Sequence, residues 1–443
     1  MAKTDMANTK TIAPDRRVMK STRNLFRRLL NSVQISIFGL TTDSREPRSR
    51  RDGEEAPSRG RWTHWFTGSI VQLRHPPSNQ IPFLDGLRSI AILLVVNHHF
   101  SAEFATIHGD NFFSRLPFVI NGWVGVDLFF VLSGFFIGGQ LWKELQRSGT
   151  VSIRRFILRR GLRIWPLYYF TFLCVFAIFW PFAASKEYGW ASLVFLTNYF
   201  NEGIVLGGWS LSTEEQFYIV TPLLLYLFAR RRNLSTSRPW LWSLLVLVPL
   251  IRAAIWIHRT GHFFHHDPAL FAAAINFPFH TRCDGLIMGL IISNLWVSRD
   301  KASPGKWKSY LLVGAAAVAM VLLRDLQHEI FSFTGLALFF GSLVWFGLTT
   351  GSKLFQSRLF YWISRLSFGM YLNHPYLINP VLKSLLPHFR LFPPSSVGNQ
   401  LLGTVILTVI SAAVALVTFC LVEQPFLNLR KLLLDPRADG HPD

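Results

Sequence analysis

Charged and histidine side chains interrupt the long apolar stretches of this sequence, and their types suit proton-transfer chemistry. Asp85 and Arg88 open one such stretch, and His98 and His99 follow about three helical turns later in it. An imidazole titrates near neutral pH, so a positioned histidine can take the proton of a hydroxyl group. Charge inside a lipid-length segment is costly and is therefore usually functional or paired. These residues favour either acid–base catalysis or a path for a polar substrate.

Further ionisable residues lie in or at the ends of other apolar stretches: Asp127, Glu214, Glu215, Arg282, Asp284, His374 and Glu423. Taken singly, Arg88 with Asp85 could be a pair that reaches the headgroups, and Arg282 with Asp284 could pair at the outer boundary. Taken together, acids, bases and histidines on several segments predict one polar cavity.

The segments that must position these residues are read from composition. Of the 443 residues, 50% are hydrophobic and only 16% are charged, too few charges to cover a soluble protein of this length. The apolar residues fall in blocks of about 18–24 residues, which suits a bilayer core about 30 Å thick. The blocks predict an all-α polytopic membrane protein with about ten transmembrane helices around a polar cavity, near 83–105, 121–143, 164–183, 209–229, 240–258, 280–297, 307–323, 333–350, 360–382 and 399–422.

The basic residues predict the orientation of these segments. The formal net charge is +20, and Lys and Arg cluster at the N-terminus and in short loops. Because lipid-length segments separate those loops, retention in the cytoplasm explains them better than nucleic-acid binding. All strong basic loops fall on one side if 189–200, which is too short to span, is re-entrant or interfacial. Both termini are then cytoplasmic.

The chain divides into three parts by composition. Residues 1–79 are predicted to be a basic, largely disordered cytoplasmic extension without a signal peptide, 80–428 the transmembrane domain, and 429–443 a short basic cytoplasmic tail. The three cysteines lack metal or redox spacing, so we expect them to pack. The histidine-containing loop 258–267 resembles a metal cluster, but no motif defines its geometry and we predict no metal.

A set of motifs in chain order resembles the membrane-bound acyltransferase 3 family. The resemblance covers roughly 81–428, and its motifs are Leu84-Asp85-Gly86-Leu87-Arg88 with His99, the stretch 125–134, Arg160 and Arg163 with Pro166 and Tyr168, Trp209-Ser210-Leu211-Ser212 with Glu214 and Tyr218, Arg282 with Asp284 and Gly285, Ser367 with Tyr371 and His374, and Glu423 with Pro425. Asn373, Gln424 and Cys283 depart from the usual family residues.

The resemblance implies a bacterial inner-membrane enzyme that transfers an acyl group, often acetyl from acetyl-CoA, to a hydroxyl. The acceptors of the family are sugars, glycolipids, envelope polysaccharides or small natural products. No tightly bound cofactor is expected beyond the acyl-CoA donor substrate. The expected partners are that donor, the hydroxyl acceptor and the lipid bilayer, and no nucleic acid.

The resemblance also implies catalytic roles. His99 matches the family position for the base that accepts the acceptor's proton, directly or after forming an acyl relay. His98 points about 100° away on a helix, so both cannot face one cavity. Asp85 and Arg88 are spaced i, i+3 and can pair on one face, with Arg88 toward the donor's phosphates or thioester oxygen. Glu214 is expected to orient His99 or to hold a sugar hydroxyl.

Donor- and acceptor-binding residues follow from the same comparison. Arginine binds phosphate in a bidentate manner, so the basic cluster is expected to hold CoA through Arg154, Arg155, Arg160 and Arg163. A topology signal alone is the alternative for that cluster, although Arg163 matches a family motif. The residues expected to contact substrate are Asp127, Trp209, Tyr218, Arg282, Asp284, Tyr371 and His374. For Asp127, a cap or a pair with Arg282 remains open, and Tyr371 and His374 could instead belong to an interfacial belt.

Two other classes compete with the enzyme. A transporter or flippase of a lipid-linked sugar would also carry charges within its spans. Such proteins often have repeated halves or paired broken helices, and the sequence has neither. The other is a non-catalytic partner of a cell-envelope synthase. An assay of acetyl-CoA turnover by the purified protein separates the three.

Overall fold

In the computed structural model, the described residues are 81–179, 186–200, 203–228, 237–262, 267–298, 313, 330–350, 355–389 and 391–434. Within these ranges the chain forms helices and turns and contains no strand, which confirms the all-helical prediction. The longer helices are α1 (Pro82–His108), α2 (Gly125–Ser148), α3 (Ile153–Ile178), α4 (Gly208–Phe228), α5 (Arg238–Thr260), α6 (Asp284–Val297), α7 (Ser332–Thr350), α8 (Arg358–Asn379), α9 (Val397–Thr418) and α10 (Gln424–Leu434).

Helices occur at nine of the ten predicted spans, while 307–323 lies, apart from residue 313, outside the described residues. Six helical segments are long and apolar enough to cross a membrane: Pro82–His108, Gly122–Ser148, Ile153–Ile178, Arg238–Thr260, Ser332–Thr350 and Val397–Lys431. α4 and α8 are long but carry charged and polar side chains. α6 has only 14 residues. The exact number of spans stays a prediction.

Helix α1 packs against other helices on two sides. Its residues contribute to two hydrophobic clusters, Leu87, Ala91 and Val95 to one and Ile92, Val96 and Phe100 to the other. The first cluster continues through α2 and α6, and the second through α8 and α9. Because apolar side chains on both faces of α1 are covered by protein, the helix needs no single apolar stripe. This places Asp85, Arg88 and His99 on an element held from several sides.

Helices α2 and α6 approach closely through small residues. Each carries two glycines four positions apart, Gly134 and Gly138 in α2 and Gly285 and Gly289 in α6. A Cβ on Gly134 would lie 2.1 Å from the carbonyl oxygen of Leu286 in the facing backbone. Such spacing lets membrane helices pack backbone against backbone. The contact fixes α2, which carries cavity residues, against α6.

The prediction for the start of the third span and the prediction for the segment after that span have different outcomes. The basic cluster was predicted to be a loop before residue 164, but α3 begins at Ile153 and its first three turns contain all five arginines, Arg154, Arg155, Arg159, Arg160 and Arg163. Arginine is a good helix former, and no proline precedes Pro166 to end the helix there. The segment 189–200, predicted to be too short to span, forms only the short turns Gly189–Ser192 and Thr197–Phe200.

The predicted extension 1–79 lies outside the described residues. At the other end, α10 continues from Gln424 to Leu434, so the first part of the predicted basic tail is helical. Residues 435–443 are outside the described part of the chain.

Candidate active site

A cavity of about 350 Å³ opens between α1, α2, α3, α4 and α8. Seven of the residues predicted for the site line it: Asp85, Arg88, Arg160, Arg163, Glu214, Tyr218 and Tyr371. The lining extends along α8 from Tyr361 to Tyr371, a rise of about 15 Å. The predicted polar cavity is therefore present and elongated.

Arginines gather at one end of this cavity, which we call the arginine end: Arg88, Arg160, Arg163 and Arg365. Each lies in the first eleven residues of its helix, α1, α3 or α8. Nε and Nη2 of Arg160 and Nε of Arg365 are buried and have no hydrogen-bond partner within the described residues. Unpaired buried guanidinium donors are costly, and an anionic ligand would satisfy them.

Arg365 was not predicted, although it is the sixth residue of the predicted span 360–382, and Arg88 was singled out as a charge at the same position of the span 83–105. Glu423 also lines the arginine end, with its Oε1 buried and lacking a hydrogen-bond partner among the described residues. The end therefore combines four cations with a carboxylate, an arrangement suited to a ligand that carries both anionic and hydrogen-bond donor groups.

The two other carboxylates of the cavity are held by the wall. Asp85 Oδ1 accepts a hydrogen bond from Ser364 Oγ at 2.7 Å. Glu214 accepts from Ser133 Oγ at 2.9 Å and from the Tyr218 hydroxyl at 2.6 Å. Glu214 was expected to orient His99 or to hold a sugar hydroxyl. Its two described partners both belong to the cavity wall, so it is not placed to orient His99.

At the opposite end, the tyrosine end, Tyr371 closes the cavity. Its hydroxyl lies 2.5 Å from Ser210 Oγ and donates to the carbonyl oxygen of Gly207 at 3.1 Å. Gly207 has φ +72°, a left-handed conformation that favours glycine, and a Cβ there would lie 3.4 Å from the Tyr371 hydroxyl. Tyr371 of α8 thus packs against the turn that leads into α4.

His99 and His374 form a hydrogen-bonded pair just beyond Tyr371. Nδ1 of His99 lies 3.1 Å from Nε2 of His374, and the two rings stack with centroids 5.2 Å apart. The ring of His374 is also 5.8 Å from that of Tyr371. His374 is 1% exposed, whereas His99 is exposed. The pair joins α1 to α8 beside the tyrosine end.

His99 lies outside the cavity lining, which differs from the expected convergence with Arg88 and Glu214 in one chamber. His99 and Arg88 share a face of α1, because eleven residues make almost three full turns. They are separated by a rise of about 16 Å, with Tyr371 at the end of the cavity between them. Sequence spacing gives the shared face but cannot reveal a side chain from another helix.

His98 lies edge-on to His99, with ring centroids 5.4 Å apart, but has a different hydrogen-bond partner. Its Nδ1 donates to the carbonyl oxygen of Val119 at 3.0 Å, in the short helix Pro117–Ile120. The adjacent histidine is thus tied to a surface segment, and it makes no described hydrogen bond to the His99–His374 pair.

Two buried ion pairs next to the cavity join α2 to the short helix Phe279–Arg282 and α5 to α6. Asp127 pairs with Arg282 through both carboxylate oxygens, one of the two outcomes expected for Asp127. Asp284 pairs with Arg252 at 2.9 and 3.0 Å. The Thr334 hydroxyl of α7 accepts a hydrogen bond from Arg252 and donates one to Asp284. The alternative Arg282–Asp284 pair is therefore replaced by two pairs that each join different helices.

These ion pairs lie outside the cavity lining, and the expected substrate contact by Asp127, Arg282 and Asp284 stays a prediction. The Arg282 guanidinium lies 3.8 Å from the centroid of the Phe333 ring, and Trp209 packs near it. Arg252 was missed by sequence reasoning, although it too is a charge within an apolar span. A buried pair with its charges compensated holds helices in register.

Arg154 and Arg155 are also outside the cavity lining, and their expected part in donor binding stays a prediction. Both are exposed, and Arg155 donates to the carbonyl oxygen of Leu434 at 2.9 Å. Arg155 lies five residues before Arg160, so it points about 140° away from the cavity face of α3. Because these arginines lie on a helix and not in the predicted loop, Arg155 and Arg160 point in different directions. Among the described residues, no group of three potential metal ligands occurs.

Comparison with known proteins gives one family match. The family profile described as "Acyltransferase domain" matches residues 81–422. The chain is 25% identical over 342 residues to the peptidoglycan O-acetyltransferase of Listeria monocytogenes serovar 1/2a, covering 70% of this chain and 51% of that protein. It is 26% identical over 386 residues to a putative peptidoglycan O-acetyltransferase of Bacillus subtilis (strain 168), covering 78% and 54%.

A putative O-acetyltransferase of Staphylococcus aureus (strain COL) is 25% identical over 326 residues, covering 66% of this chain and 50% of that protein. The chain thus spans about half the length of the curated relatives it matches. No solved structure matches it.

Proposed function

The chain belongs to the acyltransferase 3 family of multi-pass membrane proteins, and from that premise we propose that it is an O-acyltransferase that moves an acetyl group from acyl-CoA to a hydroxyl of an envelope carbohydrate. The observation that carries the proposal is the elongated cavity, which has buried guanidinium donors without a partner among the described residues at one end and the histidine pair beyond the other. Anion binding and base chemistry then occur at opposite ends of one channel-like space.

The arginine end is the binding site for the phosphates of CoA in this proposal. Arginine pairs with phosphate in a bidentate manner, and the buried nitrogens of Arg160 and Arg365 gain partners when a phosphate binds. The slot of about 350 Å³ suits the thin pantetheine arm, while the bulkier nucleotide stays at the mouth. The thioester then reaches Tyr371 and Ser210.

His99 is the general base in the transfer step. Its Nε2 takes the proton of the acceptor hydroxyl while the hydroxyl oxygen attacks the thioester carbonyl carbon. The carbon–sulfur bond then breaks, and the departing CoA thiolate takes the proton from His99, leaving free CoA and the acyl ester. For this geometry the Tyr371 side chain must move away from Ser210 and Gly207, because it separates the cavity from His99.

The acceptor class follows from the relatives and from the exposure of His99. Two of the relatives are named for peptidoglycan O-acetylation, so we infer a hydroxyl of peptidoglycan or of another envelope polysaccharide. The exposed imidazole can be reached by a large acceptor that could not enter the closed slot. The proposed location is the bacterial inner membrane, with both termini and the arginine end facing the cytoplasm.

The test is acyl transfer by the full chain in lipid nanodiscs supplied with labelled acetyl-CoA and soluble peptidoglycan or polysaccharide fragments. We expect labelled ester on the acceptor and a loss of roughly 10²–10⁴-fold in kcat for His99→Ala. His98→Ala is the matched control and should retain most activity, because His98 bonds to Val119 instead.

Full transfer activity of His99→Ala would contradict the assignment of the base. Uptake of a lipid-linked sugar into proteoliposomes, with no turnover of acetyl-CoA by the same preparation, would favour the transporter class.

A further inference from the structure

We propose that His374 is the positioning residue of the site: it accepts a hydrogen bond from Nδ1–H of His99 and so leaves Nε2 of His99 free to take the acceptor's proton. This inference rests on the proposed function for its catalytic meaning. It assigns to an uncharged ring the role that sequence reasoning gave to the carboxylate of Glu214. The hydrogen-bonding pattern itself does not depend on which substrate is used.

The backbone fixes the tautomer of His374. Its Nδ1 lies 3.1 Å from the carbonyl oxygen of Met370, which can only accept, so Nδ1 carries the hydrogen. In the neutral ring the other nitrogen, Nε2, is then an acceptor. Because that Nε2 faces Nδ1 of His99 at 3.1 Å, the hydrogen between the rings belongs to His99. A neutral ring closes both bonds without burying a charge.

The ring of His374 is held firmly enough to orient the ring of His99. It is 1% exposed and lies between Met370 and Pro375 in α8. The neighbouring Asn373 bonds to Ser411 of α9 through both its Oδ1, at 2.5 Å, and its Nδ2, at 3.0 Å. These contacts fix the turn of α8 that carries the ring.

His99, by contrast, needs such a partner. Its ring is exposed, and the final torsion of a histidine side chain has two broad, nearly equivalent orientations, in which each ring nitrogen takes the place of a ring carbon. The bond to His374, with the rings stacked at 5.2 Å, selects one orientation. Nε2 of His99 makes no hydrogen bond to His374 and is left for the proton of the acceptor.

The same bond serves the reaction. When Nε2 of His99 takes the hydroxyl proton, the ring becomes a cation whose Nδ1–H bond to His374 strengthens. The proton later passes from Nε2 to the CoA thiolate, and His374 keeps its own hydrogen throughout. In serine hydrolases a carboxylate performs this orienting role, and the wrong tautomer there lowers kcat by about 10⁴-fold. An uncharged partner gives a smaller effect.

The activity test compares His374→Gln with His374→Leu in nanodiscs, with His98→Gln as the matched control. The amide oxygen of Gln can accept from Nδ1 of His99, whereas Leu cannot. We expect kcat within roughly tenfold of wild type for Gln and a loss on the order of 10²-fold for Leu, with the KM for acetyl-CoA little changed in both. Equal losses in Gln and Leu would mean that His374 only packs, and full kcat in His374→Leu would overturn the proposal.

A second readout does not need turnover. Nitrogen-15 NMR of histidine-labelled protein in lipid, with the His99 signals assigned by their disappearance in His99→Ala, reports which nitrogen is protonated. We expect the Nδ1–H form in wild type and in His374→Gln, and a mixture in His374→Leu. The Nε2–H form in wild type would overturn the inference even if transfer is observed. Absence of transfer with the Nδ1–H form present would instead count against the proposed function.

Discussion

The guanidinium nitrogens at the arginine end decide what the site can bind. Arg160 and Arg365 each keep buried donors without a protein partner in the described part of the chain, and so does Arg252 at its Nε, but Arg252 and Arg282 are each paired with a carboxylate. The same residue type therefore serves two purposes within one bundle. Compensated arginines hold helices, and uncompensated ones are available to a phosphate.

Arg365→Gln tests this distinction. A hydrogen bond to a charged group contributes about 1.5–3 kcal/mol, so we expect the KM for acetyl-CoA to rise roughly 10- to 100-fold, with a smaller change in kcat. Arg155→Gln is the matched control, since Arg155 is exposed and turned away from the cavity. Steady-state kinetics in nanodiscs measures both. Equal changes in the two variants would show that only the total charge matters.

At the scale of residues, the sequence predicted which side chains line the cavity better than it predicted their hydrogen-bond partners. Asp85, Arg88, Arg160, Arg163, Glu214, Tyr218 and Tyr371 line the cavity, because an ionisable or polar residue within an apolar span is visible in the sequence. The sequence did not reveal that Glu214 is held by Ser133 and Tyr218, or that His374 bonds to His99. Those contacts join residues far apart in the chain, and spacing within one helix carries no information about them.

At the scale of helices, the α2–α6 contact is the tightest constraint on the site. Gly134 faces backbone atoms of Leu286, and a side chain there has no space that a rotamer change could provide. Overpacking of a core commonly costs about 1–3 kcal/mol and more when backbone must move. The helix α2 also carries Ser133, which bonds to Glu214, so a shift would reach the cavity.

We therefore expect Gly134→Val to lower the thermal unfolding midpoint of the purified protein by several degrees and to reduce its yield in membranes. Gly139→Val is the control, because a Cβ at Gly139 meets nothing within 4 Å. Fluorescence-detected thermal unfolding in detergent compares the two. An equal decrease in both variants would mean that valine disfavours the helix in general rather than blocking the contact.

Most helices could be predicted from apolar block length, but their ends could not. The predicted span 164–183 began too late, because hydropathy falls at the arginines although the helix does not end there. Conversely, α6 is shorter than predicted because the chain turns at Cys283, just before Asp284. Hydropathy measures the bilayer-facing length, whereas backbone hydrogen bonds define the helix, and the two differ wherever polar residues extend a helix into water.

At the scale of the whole molecule, the arginine end and the His99–His374 pair are predicted to lie toward opposite faces of the membrane. On the positive-inside rule, the start of α3 faces the cytoplasm and the loop after α1 faces outward. Phe112 in that loop is 77% exposed, and Arg155 is exposed at the other end. In a background with the three native cysteines replaced, we expect Arg155→Cys to react with an impermeant maleimide only after cells are opened, and Phe112→Cys to react in intact spheroplasts. The reverse pattern would invert the proposed orientation.

The contact of the Tyr371 hydroxyl with Ser210 and Gly207 has a consequence for the cell as well as for the reaction. A slot lined by arginines that ran through to the far surface would conduct chloride and other small anions and discharge the membrane potential. One hydrogen bond donated by the phenol to Gly207 and one that it accepts from Ser210 hold Tyr371 across that route at rest. On the proposed path an acyl group has to displace the phenol at each turnover. The same side chain therefore blocks the passage of small ions and controls the passage of the acyl group.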